Sequence, residues 1–276
     1  MNEITKNSLL WILAIVLTLG MAYYQKTTGP TWPVTGEISI DNNEVGFKLL
    51  RSHGGEGGAP VTVEVDDKSV SGEVTFKRYK SYDEWQTVTM KRKGEKLVME
   101  LPHQPPAGKV EYKVVLKKGN QTWNLSEEPV VLRYKGAVPI GILVPHIFFM
   151  FMSMLFGMRI LLELVTGGNK TDYLSKVVTI SILIGGLILG PIVQKYAFGA
   201  YWTGWPFGHD MTDNKTLFMF IFWVIAWWRL SKNPLNRLWP AIAVFVMFAV
   251  YLVPHSTLGS EIDYTKEQPK TEQVAE

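Results

Sequence analysis

The feature that most constrains this chain is a change of hydrophobic period along its length. Residues 9–24 (LLWILAIVLTLGMAYY) and most of residues 137–255 are apolar or aromatic, whereas residues 36–135 between them are polar, charged and alternating. Long continuous apolar runs call for a bilayer, while alternation calls for half-buried strands in water. The whole-chain averages of 47% hydrophobic and 19% charged residues conceal this division.

Residues 9–24 are short for a span, since a hydrocarbon core takes roughly 20 residues. Ser8 at one end and Tyr23, Tyr24 and Gln25 at the other extend the run into the interface. Lys6 is accompanied by Glu3 and no small-x-small site follows, so an uncleaved anchor is expected rather than a cleaved signal peptide. Residues 137–165, 177–192, 217–228 and 238–253 form four further apolar runs. The expectation is a membrane protein of class α+β with about five transmembrane helices: an anchor at residues 1–25 and a four-helix unit at residues 136–256. The run at 217–228 is the shortest and spans only with help from Lys215, Thr216 and Arg229. Its alternative is a re-entrant hairpin with residues 238–253. Gly185, Gly186 and Gly190 offer a small-residue packing face, and Gly190-Pro191 predicts a kink or helix end.

Residues 26–35 (KTTGPTWPVT) read as a linker. Short β-branched stretches follow: PVTVEVDD at 60–67, SGEVTFKRYK at 71–80, QTVTMKRK at 86–93, KLVMELP at 96–102, KVEYKVVLKK at 109–118 and PVVLRYK at 129–135. An earlier hairpin is expected across residues 41–43. Lys93-Gly94-Glu95 and Lys118-Gly119-Asn120 are hairpin turns, because glycine adopts positive φ without a Cβ penalty. Strands at this spacing predict an antiparallel β-sandwich over residues 36–135. With its aromatic before one strand and a Pro-Pro-Ala-Gly turn, the stretch 82–116 resembles an immunoglobulin/fibronectin-type sandwich. Trp85 and Trp123 are expected in or near its core.

Orientation is read from lysine and arginine in short loops. Arg229, Lys232 and Arg237 lie in one loop and Arg159, Lys170 and Lys176 around another, whereas the loop 194–215 offsets Lys195 and Lys215 with Asp210 and Asp213. The rule puts the first two loops and the N-terminus in the cytoplasm. The β-domain, the loop 194–215 and the C-terminal segment then lie outside a bacterial inner (cytoplasmic) membrane. Residues 257–276 are polar and are expected to be disordered.

The tetrapeptide LVPH occurs twice, ending at His146 and at His255. The assigned topology puts both, with His209 and Asp210, at the outer side. Neutral imidazole suits iron, copper or zinc, so His146, His209, His255 and Asp210 form a candidate cofactor or metal site for haem b or a transition metal. The competing reading is that the histidines are interfacial and that Asp210 and Asp213 cap a helix; on that reading no cofactor is expected. Arg159 and Glu163 are spaced for a helix-surface ion pair. The loop at 196–216 (YAFGAYWTGWPFGHDMTDNKT) concentrates aromatics among glycines; it reads either as an aromatic belt at the membrane interface or as an ordered binding surface, on which Tyr201, Trp202, Trp205 and Phe207 are candidate partner-binding residues.

The chain has no cysteine, which excludes disulfides, thiolate metal sites and covalent haem attachment. Net charge is +3 with no basic tract, so nucleic acid is not an expected partner. No serine-hydrolase elbow, Walker loop, dinucleotide fingerprint or zincin motif occurs. The expected function is that of a non-enzymatic accessory or assembly subunit, in contact with membrane lipid, that docks another membrane or extracytoplasmic protein. The alternative is a membrane redox subunit holding haem b or a metal.

Overall fold

A computed structural model describes residues 2–41, 43–254 and 259–267. The chain is α+β and forms two compact units, one of Met1–Pro30 with Val138–Ser260, the other of Thr31–Ala137 with Glu261–Glu276.

The first unit is helical. Helix α1 (Glu3–Thr28) starts at Asn2, whose side chain accepts the Thr5 N–H at 2.7 Å. Helix α2 (Ile140–Thr166) stops at Gly167, left-handed at φ 75°, a conformation that favours glycine. Helix α3 (Thr171–Ile182) continues through a π-helical turn, Leu183–Leu189, into α4 (Gly190–Phe198). Helices α5 (Met211–Lys232) and α6 (Leu238–Leu252) complete the unit. Met154, Val178, Ile182, Met219, Trp223 and Met247 are among its buried core. A Cβ at Gly157 would stand 2.1 Å from Met247 Cε, so the Met247 side chain of α6 packs directly over this glycine of α2.

Among the described residues, three helices are long and apolar enough to cross a membrane: Glu3–Thr28, Ile140–Thr166 and the continuous Thr171–Phe198. Of the other two expected spans, α6 has 15 residues, and α5 carries Asp213, Lys215, Arg229 and Lys232 in its 22. Two expectations are corrected. Gly190-Pro191 does not end the helix: the Gly190 N–H bonds Gly185 O five residues back, so the backbone widens into a π turn just ahead of the proline. Arg159 and Glu163 are not on a helix surface. Their side chains are 2% and 5% exposed and pair at 2.6 Å, with the Arg159 guanidinium 5.5 Å from the Trp11 ring centre. Arg159 therefore belongs to the interior and not to a charged loop.

Among the described residues the second unit holds eleven strands: β1 (Val34–Ile40), β2 (Asn43–Leu49), β3 (Ser52–Gly54), β4 (Ala59–Glu64), β5 (Ser71–Arg78), β6 (Gln86–Thr89), β7 (Lys91–Lys93), β8 (Lys96–Leu101), β9 (Lys109–Lys118), β10 (Gln121–Asn124) and β11 (Val130–Lys135). One sheet runs β1-β2-β4-β8-β7; the other runs β3-β11-β9-β5-β6 with β10 added beside β9. Pairing is antiparallel except between β3 and β11. Both sheets contribute to one apolar core that includes Leu49, Val63, Leu97, Val74, Val114 and Leu132.

The expected turns form as argued: Lys93 pairs with Lys96 around Gly94 (φ 63°), and Lys118 with Gln121 around Gly119 (φ 58°). Residues 86–93, expected as one strand, divide. Met90 is 5% exposed and its N–H bonds Gly72 O at 2.8 Å, so the chain leaves one sheet as β6 and enters the other as β7. Alternation hides such a crossing, because a residue buried between two sheets looks like any inward strand position. Trp85, expected in or near the core, is exposed, with the Lys77 ammonium 5.2 Å from its ring centre.

Of residues 257–276, expected to be disordered, 257, 258 and 268–276 lie outside the described residues. Residues 261–267 pack on this second unit, with Tyr264 only 4% exposed and a short helix at Tyr264–Glu267.

Candidate functional site

The aromatic loop is shaped by the residues on either side of it. Helix α4 closes at Gly199, left-handed at φ 88°, whose N–H returns to Lys195 O. Helix α5 opens at Asp210, whose Oδ1 accepts the Thr212 N–H at 2.8 Å. Between them the chain turns back on itself: Phe207 and Gly208 both donate to Gly204 O at 2.9 Å, and Asp210 donates to Thr203 O at 3.0 Å. Glycine is needed at 208, where a Cβ would lie 2.3 Å from Thr203 O.

Two side chains of the first α5 turn hold this loop. Asp213 Oδ2 accepts the N–H of Thr203 at 2.7 Å, the N–H of Gly204 at 3.0 Å and Gln194 Nε2 at 3.1 Å. Asn214 Oδ1 accepts the Trp205 N–H at 2.6 Å. The carboxylate thus meets several donors that the loop leaves without a secondary-structure partner. Asp213 was expected to cap α5; it staples the loop instead, and Asp210 alone is the cap.

What the staple presents is aromatic. Tyr201 is 60% exposed, Trp205 69% and Phe207 83%, while Trp202 is half-buried and donates from its indole N–H to Trp205 O. Lys195 Nζ lies 5.6 Å from the Tyr201 ring centre.

The candidate cofactor residues are differently disposed. Asp210 is buried, and its carboxylate is taken by Thr212, by the N–H and hydroxyl of Ser260 at 2.8 and 2.9 Å, and by the Thr203 hydroxyl at 3.3 Å. His209, next to it, is exposed. His146 is half-buried on α2, with Nδ1 2.8 Å from Gly185 O in the π turn. A carbonyl only accepts, so Nδ1 carries the proton, and in the neutral ring Nε2 keeps a lone pair. His255 lies outside the described residues. Among the described residues no three His, Cys, Asp or Glu side chains are grouped to hold a metal.

Reading the sequence placed Lys215 at the end of an apolar run but missed its burial. It is buried on α5, and its ammonium donates to Val253 O at 2.7 Å, satisfying a carbonyl at the end of α6. The available signal was a lysine immediately before an apolar run.

Comparison with protein-family models, with curated proteins and with solved structures finds no match.

Proposed function

We propose that the chain is a non-enzymatic accessory or assembly subunit of a bacterial inner membrane that docks a protein partner. Three long apolar helices support membrane insertion. Lysine and arginine in the loops support an N-terminus inside, with the sandwich and the aromatic loop outside. The observation that carries the reading is the stapled loop. A binding surface costs least when its anchors are ordered before the partner arrives. Here Asp213 and Asn214 fix the backbone at Thr203, Gly204 and Trp205 while the Trp205 and Phe207 rings stay exposed. Tryptophan is among the residue types most enriched at binding hot spots. The sandwich, immunoglobulin-like in this reading, supplies a second docking surface. The test is a photo-crosslinker at Phe207 in native membranes. A discrete protein adduct, lost on Asp213→Ala, supports docking; adducts to lipid alone contradict it.

A second reading, a redox subunit holding haem b or a transition metal, is favoured by His146. Its Nδ1–Gly185 hydrogen bond fixes the tautomer in which Nε2 can ligate. A Soret band or stoichiometric metal in the purified chain, lost on His146→Ala, supports it.

A further inference from the structure

We propose that the sandwich carries a peptide-binding groove for a Glu-x-x-Tyr segment, which the chain's own residues 261–267 fill in place of a partner's segment of the same chemistry. The proposal rests on the reading that the sandwich docks a protein, and it names what is recognised.

The groove lies between the end of β5 and the turn that enters β9. Glu261 is held at one end by two ammonium groups, its carboxylate oxygens bonding Lys80 and Lys109. The Lys109 side chain is 14% exposed, and Arg133 acts on it as a like charge. An ammonium so enclosed calls for an acid opposite it.

Tyr264 is held at the other end. The Arg78 guanidinium stacks 4.4 Å from its ring centre, and its hydroxyl donates to Gln104 Oε1 at 3.0 Å. The Gln104 amide nitrogen bonds His103 O at 2.8 Å, which leaves the oxygen to receive that hydroxyl. The floor is Gly108, where a Cβ would stand 2.9 Å from the Tyr264 hydroxyl.

Two further contacts, one after each anchor, are backbone to backbone and independent of side chain. Ile262 N–H donates to Ala107 O at 3.3 Å, and Thr265 N–H donates to Lys80 O at 3.1 Å. Lys80 (φ 51°) and Ala107 (φ 71°) are two of the three described non-glycine residues with left-handed backbone. Such conformations are costly and cluster where a structure clamps a ligand. Here the carbonyls of the two strained residues are the ones that receive the segment. Among the described residues the segment joins neither sheet. It is held as a bound peptide is, by a pocket for each of the two anchoring side chains and by two main-chain bonds.

The test uses the full chain in detergent, a version truncated after Ser260, and a fluorescent peptide of sequence EIDYTKE. The truncated chain should bind the peptide saturably, and the intact chain at least ten-fold more weakly because its own segment competes. Peptides with Glu261→Lys or Tyr264→Ala should lose at least ten-fold. If truncation prevents folding, the full-length Glu261→Ala/Tyr264→Ala variant frees the groove and should bind in its place. Equal binding by intact and freed chains, no binding by a folded freed chain, or indifference to Glu261→Lys in the peptide overturns the proposal. Failure here leaves docking at Trp205 and Phe207 untouched, since those residues are absent from every probe.

Discussion

Asp213 and Thr203 meet at 2.7 Å, carboxylate to backbone N–H, and this contact with its neighbours at Gly204 and Gln194 closes the aromatic loop onto α5. Asp213→Ala strands those donors. Hydrogen bonds to a charged acceptor contribute about 1.5–3 kcal/mol, so the loop should open more readily by about 2 kcal/mol, or about 30-fold. Chymotryptic cleavage at Tyr201–Phe207 should accelerate accordingly, while the melting of the sandwich stays unchanged. An unchanged cleavage rate would show that the staple is not what orders the loop.

The buried pair Arg159–Glu163 makes a prediction about stability. Removing one partner of a buried ion pair costs about 3–5 kcal/mol because the other charge is left uncompensated. Asn7 Oδ1, 3.0 Å from Arg159 Nη2, offsets only part of this. Glu163→Ala should therefore lower the melting temperature in detergent more than Arg159→Leu/Glu163→Leu together. Gly168→Ala should act in the same direction, since its Cβ would fall 1.5 Å from Glu163 Oε2.

How much of this was legible in the sequence differs by element. The two-part division, the hairpins at Gly94 and Gly119 and most strands follow from period and turn chemistry, which are local. The Met90 crossing, the burial of Arg159 and the π turn do not, because each depends on what packs from elsewhere in the chain. The stretch GSEIDYTKE has neither helical nor strand periodicity, and its order comes from partners remote in sequence: Asp210 at Ser260, then Lys80, Lys109, Ala107, Arg78 and Gln104. At the candidate site the aromatic residues were visible by composition. The role of Asp213 was not, since an aspartate at a helix start reads first as a cap.

Orientation can be read with single cysteines, because the chain has none of its own. Lys68 and Leu235 are both exposed. Lys68→Cys should react with an impermeant thiol reagent in spheroplasts and Leu235→Cys only after lysis. The reverse pattern would invert the topology.

Docking of residues 261–267 should depend on pH. Burial alone would raise the Glu261 carboxyl, but hydrogen bonds from Lys109 and Lys80 outweigh it and hold it below its ordinary 4.5. A carboxyl depressed on folding contributes stability above its ordinary value and loses it as pH falls through the folded one. Asp263, lowered first by the Thr265 hydroxyl, acts in the same sense. At the other limit, burial lowers the Lys109 ammonium below 10.5, so that partner of Glu261 is lost first as pH rises. A fluorophore at Glu267→Cys should keep a steady anisotropy from about pH 5 to 8 and lose it below about pH 4.5. A flat profile down to pH 3 would mean that the ion pairs do not hold the segment.

The most direct measurement of the central claim is the mass of the native assembly in mildly solubilised membranes, compared between the wild-type chain and Trp205→Ala/Phe207→Ala. The account predicts that the wild-type chain migrates in a larger complex, and that the double variant falls to the mass of the chain alone with an unchanged melting temperature. Equal masses for the two would contradict it.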